Sequence, residues 1–156
     1  MDANTQPRRA VLVGVAAGAL GTLAGCLGDD DEDSYYEGEE FVDDEPEYDG
    51  TLESVDHPGT VDWTGEDEVT VAVGTGREGM GFAPRAIRID AGTTVVWEWT
   101  GDGGRHDVVD TDGAFDSGQS AAEGHTFEYA FDEPGTYTYV CVPHEHRGMV
   151  GGVDVR

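Results

Sequence analysis

Residues 127–141 read Phe127-Glu128-Tyr129-Ala130-Phe131-Asp132-Glu133-Pro134-Gly135-Thr136-Tyr137-Thr138-Tyr139-Val140-Cys141. Large apolar side chains take alternate positions: Phe127, Tyr129 and Phe131 before the break, Tyr137, Tyr139 and Cys141 after it. A period of two puts each set on one face of an extended strand. Glu133-Pro134-Gly135 between them is a turn signal, because proline fixes φ and glycine admits φ values closed to other residues. The same punctuation repeats upstream. Val69, Val71 and Val73 alternate with Thr70 and Ala72, Ile87 pairs with Ile89, and Val95, Trp97 and Trp99 share a face opposite Glu98. Val108-Val109 is a short run, and Val150 to Val155 closes the chain. Gly74-Thr75-Gly76, Asp90-Ala91-Gly92 and Gly101-Asp102-Gly103-Gly104 separate the runs. Nothing long has a 3.6 period. From about residue 60 the reading is one all-β domain of short strands, an antiparallel sandwich or barrel, and about 100 residues suit it. Trp97, Trp99, Phe127 and Phe131 are assigned to its core, with no functional role.

Ahead of that domain the composition changes. The 156-residue chain has 34 acidic residues against 8 arginines, no lysine, and a formal charge of −26. A nucleic-acid binder carries a basic patch, so that class is excluded. The acid load suits a chain adapted to strong salt, where ions screen the self-repulsion that otherwise opposes compaction. Asp29 to Asp49 holds 13 acids in 21 residues and no base, with Tyr35, Tyr36, Phe41 and Tyr48 scattered aperiodically. Like charges repel there, and little apolar surface offsets the entropy of ordering. Residues 26–60 are therefore expected to form a disordered, extended acidic tether before a domain at 61–156.

Residues 1–25 read as an export signal. Arg8-Arg9 precedes an uncharged, Gly- and Ala-rich run from Ala10 to Gly25, shorter than the roughly 20 residues that span a bilayer as a helix. Leu23-Ala24-Gly25-Cys26 resembles a lipoprotein lipobox, which implies cleavage before Cys26 and a lipid on its thiol. The paired arginines resemble a twin-arginine signal, whose cargo is exported folded. A chain anchored this way sits on the outer, extracytoplasmic face of the cell membrane. With Cys26 consumed by lipid, Cys141 has no disulfide partner, in a compartment that permits disulfides.

The chemistry gathers where the opening stretch continues: Val142-Pro143-His144-Glu145-His146-Arg147-Gly148-Met149. Cys141, His144 and Met149 have the spacing C-x2-H-x4-M, and a tight loop containing Pro143 and Gly148 can turn their side chains to one point. His106 ends a Gly-rich loop and enters Val108-Val109, so sheet pairing can bring it to the same end. Thiolate and thioether favour Cu(I), imidazole suits both oxidation states, and His2Cys with a weak axial Met is the blue-copper arrangement. His146 leaves a second donor set open, because Cys141, His144, His146 and His106 would satisfy zinc. His57 and His125 have no placed partner, and Met80 is read as loop packing.

In these residues the sequence resembles the small blue copper proteins, plastocyanin-like and most closely of the halocyanin type. The likeness covers roughly residues 66–156. An ordered set carries it: Phe82-Ala83-Pro84, Gly92-Thr93-Thr94-Val95-Val96-Trp97, Gly104-Arg105-His106-Asp107-Val108-Val109, Phe115-Asp116-Ser117-Gly118, Pro134-Gly135-Thr136-Tyr137, and the Cys141 to Met149 loop. The lipobox and acidic segment match halocyanin architecture too. The resemblance implies a Greek-key, cupredoxin-like β-sandwich and a single copper ion, Cu(I)/Cu(II), held by His106, Cys141, His144 and Met149. It implies one-electron exchange between membrane redox proteins of the respiratory chain, with the solvent-facing edge of His144 as the port. A carrier is implied rather than an enzyme, since copper oxidases and nitrite reductases need further His clusters and a second metal. The chain is expected to be a monomer. Asp107 stands where plastocyanin-like proteins often have Asn; its carboxylate can accept a hydrogen bond from the Cys141 loop but, ionised, cannot donate one. A copper-sequestering or copper-delivery lipoprotein is the alternative function.

Overall fold

The alternating runs become nine strands in the computed structural model, which describes residues 32–156. They are β1 (Val61–Asp62), β2 (Glu68–Thr75), β3 (Gly81–Ala83), β4 (Ala86–Ile89), β5 (Thr93–Trp99), β6 (Val109–Asp110), β7 (Thr126–Phe131), β8 (Gly135–Val140) and β9 (Val150–Val155). Two sheets form, in the orders β1-β4-β9-β8-β6 and β3-β2-β5-β7. Period-two burial is what joins them. Val69, Val71 and Val73 of β2 and Val95, Trp97 and Trp99 of β5 turn inward from one sheet, and meet Ile87, Ile89, Tyr139, Val153 and Val155 of the other. Trp97 lies at the centre, its ring 5.5 Å from Phe115 and 5.3 Å from Tyr139. Phe127 is only half-buried, at the edge of the second sheet.

The all-β sandwich read from the sequence is the fold, but its sheets are mixed rather than antiparallel. β1–β4, β4–β9 and β2–β5 run parallel, while β2–β3, β5–β7, β6–β8 and β8–β9 run antiparallel. Chain neighbours such as β4 and β5, or β7 and β8, sit in different sheets, so pairs such as β1–β4, β4–β9 and β2–β5 join strands distant in sequence. Alternation specifies which face a residue takes and not which way its partner runs. The crossings bring the ends of β5, β6 and β8 to one end of the sandwich.

Residues 32–60 depart from the expected tether: Tyr36 packs against the main core, Phe41 pairs with Val61 at the β1 edge, and Tyr48 and Leu52 cover the outer face of the first sheet. Tyr48 is buried over β9, where Gly152 has no side chain; a Cβ on Gly152 would fall 2.5 Å from the Tyr48 ring. Tyr48, Leu52, Ala86, Val140 and Val150 form a second apolar cluster. Polar contacts fix its margin. The Tyr48 hydroxyl is 2.8 Å from Thr60 Oγ1, Glu45 accepts the Thr60 N–H at 2.7 Å, and Trp63 Nε1 donates to Glu39 at 2.8 Å. Asp44 and Asp154 share Arg88 and Arg156. The composition argument weighed the repelling carboxylates and missed how few anchors suffice when each finds a fitted site. Residues 1–31, with the export signal (1–25), Cys26 and the first part of the expected tether, lie outside the described residues. Among the described residues no helix is long and apolar enough to cross a membrane.

Candidate metal centre

At the end of β8 the chain turns Cys141 inward, fully buried. It then enters a 3-10 turn, Val142–Arg147, closed by Gly148 at φ 87°, a left-handed value that suits glycine. The Cys141 N–H donates to Met149 O at 3.0 Å, the His144 N–H to Cys141 O at 3.0 Å, and the Met149 N–H to His144 O at 3.3 Å. The C-x2-H-x4-M spacing is thus a closed loop whose ends are paired backbone to backbone. His106 arrives from another direction. Its N–H and carbonyl both pair with Ser120 at 3.0 Å, and the buried Trp99 indole N–H donates to the same carbonyl at 3.2 Å.

The side chains converge. Cys141 Sγ lies 3.7 Å from His106 Nδ1 and 3.5 Å from His144 Nδ1, and the ligand atoms of all three residues fall within 4.8 Å of one another. His106 Nε2 is 2.7 Å from the Asp102 carbonyl. A carbonyl only accepts, so Nε2 carries the proton and Nδ1 turns its lone pair toward the sulfur. Glycine makes room for that bond: a Cβ on Gly103, at φ 83°, would fall 2.7 Å from His106 Nε2.

Burial pushes the Cys141 thiol up to about 11, so a thiolate forms here at neutral pH only in exchange for a bound cation. Burial also holds His144 below the usual imidazole range, helped by the neighbouring His106, Arg147 and His146, which leaves its nitrogen free to ligate. Asp107 is buried and its Oδ1 accepts the Val142 N–H at 2.7 Å, a bond from the side chain after His106 to the loop after Cys141. Two imidazole lone pairs and one buried sulfur aimed at a common point fit a soft cation and suit copper.

Of the residues expected at the site, His106, Cys141 and His144 come together. Met149 is fully buried in the core cluster that also holds Cys141. His146 is exposed and outside the group, so the four-ligand zinc set is not assembled. His125 packs its ring on Trp99 at 4.7 Å. Trp99 is core, as its alternation predicts, and it also fixes the His106 carbonyl. The contributions of Ser120 and the Asp102 carbonyl were missed, because they act through backbone atoms that no residue type advertises.

A model of copper binding proteins of the plastocyanin/azurin family matches residues 69–156. Halocyanin of Natronomonas pharaonis is 44% identical over 164 residues, covering 95% of this chain and 96% of its own. Plastocyanin of Scenedesmus fuscus is 33% identical over 99 residues, covering 57% of this chain and 100% of its own. Among solved structures, a purple cupredoxin from Nitrosopumilus maritimus superposes with a TM-score of 0.47 at 29% identity, over 56% of this chain and 99% of that one. The matched span contains all three converging side chains and the loop that closes on Met149, and on these grounds the chain belongs to the plastocyanin/azurin family of copper-binding proteins.

Proposed function

We propose that the chain is a membrane-anchored one-electron carrier in which His106, Cys141, His144 and Met149 hold a single copper ion. The observation that carries this reading is the convergence of one ligand atom each from His106, Cys141 and His144 within 4.8 Å. When bound, copper supplies a centre that alternates between Cu(I) and Cu(II). The chain's part is to hold its donors still. The Asp102 carbonyl sets the His106 tautomer, Trp99 and Ser120 hold its backbone, and the Cys141–Met149 pairing closes the loop. Buried His106, Cys141 and Met149 keep water out, while half-buried His144 offers an edge for exchange. Beside it Val142 is 52% exposed. Apolar contact there remains effective in molar salt, where the screening length is about 3 Å and long-range steering fails. A lipid on Cys26 would keep the carrier at the outer face of the membrane, with membrane redox proteins as donor and acceptor.

Adding Cu(II) to the full chain tests the proposal. An intense blue band, narrow copper hyperfine splitting in electron paramagnetic resonance and a reversible one-electron couple are expected. Colourless binding of Cu(I) alone, with no reversible couple, would overturn it in favour of copper sequestration.

A further inference from the structure

We infer that Arg85 is a positioning residue for Met149, an inference that rests on Met149 being a copper ligand. Arg85 directly precedes β4, and its backbone is held on both sides. Its carbonyl accepts the Gly152 N–H at 2.9 Å, and its N–H donates to the Tyr36 hydroxyl at 2.9 Å. From that base the half-buried side chain reaches the end of the ligand loop. Nη1 donates to Gly148 O at 2.8 Å and to Val150 O at 3.2 Å, the carbonyls on either side of Met149. In a chain with 34 acidic residues, the guanidinium's hydrogen bonds among the described residues go to these two carbonyls and to no carboxylate.

Met149 needs such support. Its own N–H makes a long bond, 3.3 Å to His144 O, and Gly148 before it is in the left-handed region. A methionine side chain has three rotatable bonds, and its thioether is a weak ligand that does not orient itself. Core packing around the buried side chain and the backbone beneath it together set where the sulfur rests. A clamp across residues 148 and 150 fixes that backbone, as hydrogen bonds outside a ligand shell commonly tune the metal inside it.

The test uses the full copper-loaded chain in molar salt, with Arg85→Met, Arg85→Gln and Arg85→Lys, each also combined with Met149→Leu. Arg85→Met and Arg85→Gln are expected to alter the copper hyperfine splitting and the reduction potential, and to speed copper loss to a Cu(I) chelator about tenfold. Arg85→Lys, which keeps the charge and several donors, should fall between them and wild type. In the Met149→Leu background the same substitutions should leave splitting and potential unmoved. A shift of equal size in that background would overturn the inference, since Arg85 would then act through its charge or through the fold. Wild-type values in Arg85→Gln would overturn it as well, even where Arg85→Met fails to fold. If Met149→Leu alone matches wild type in spectrum and potential, the ligand role of Met149 is what fails.

Discussion

Removing copper should make the domain selectively sensitive to alkali, by an amount that follows from the burial of one thiol. Burial raises Cys141 from 9.0 to about 11, against smaller opposing contributions from the backbone N–H groups at Asp107 and His144. In the unfolded chain the thiol ionises first. Between pH 9 and 11 the folded protein therefore holds a proton that the unfolded chain has lost, and stability falls as pH rises through that window. Two pH units at 1.36 kcal/mol each come to about 3 kcal/mol, or about 10 °C in melting temperature for a domain of this size. Tyr48 and Tyr139 hydroxyls, also raised by burial, add their own alkaline loss, but equally with and without copper. In the loaded protein the sulfur is already a thiolate and its contribution disappears. The assay is melting by circular dichroism between pH 8 and 11 at constant molar salt, on the apo-protein, the loaded protein and the apo form of Cys141→Ser. The apo-protein should lose about 10 °C more than apo Cys141→Ser over that range. Superimposable pH profiles for those two would refute the reasoning, because the thiol would then not titrate as a buried acid.

Asp107→Asn keeps an acceptor for the Val142 N–H and removes a buried negative charge next to His106. One such charge is worth about 1–2 kcal/mol at an effective dielectric of 20–40, so voltammetry should show the potential raised by about 50–90 mV. Tyr48→Ala should cost about 3 kcal/mol in denaturant unfolding with the visible spectrum unchanged; no loss of stability would mean that residues 32–60 are a free tether after all. Residues 51–156 carry 20 acids against 6 arginines, so dilution from molar salt to 0.1 M, where the screening length grows to about 10 Å, should lower the melting temperature. Cys26→Ser should free the protein from the membrane fraction or leave it unprocessed, as fractionation and mass would show.

The strands were legible because each buries one face. Val95, Trp97 and Trp99 against Glu98 say so without help from any other segment. Direction and partner were not legible, since β4 finds β9 and β2 finds β5 across long stretches of chain, and nothing in either run names its neighbour. The tether expected over residues 26–60 failed for a related reason. Tyr48 is one aromatic among many carboxylates, and its value depends on Gly152, more than a hundred residues away, having no side chain. Composition averages over a segment, whereas docking is decided by single matched positions.

The site divides in the same way. Its donors were legible because thiol and imidazole have chemistry that few other side chains share, and their spacing within one loop limits where they can point. What holds them was not. The Asp102 carbonyl, the Ser120 backbone and the loop closure from Cys141 to Met149 use atoms that every residue carries. One signal in the sequence has a second meaning. The run Gly101-Asp102-Gly103-Gly104 is punctuation between strands. Yet Gly103 also lies where a Cβ would meet both His106 Nε2 and the Gly79 carbonyl of a neighbouring loop, and a Cβ on Gly74 would fall 2.7 Å from the Asp102 carbonyl. Three backbones can approach one imidazole only because side chains are missing from the positions between them. Glycines that crowd a turn beside a ligand histidine therefore carry two readings at once: the chain reverses there, and the histidine is held there.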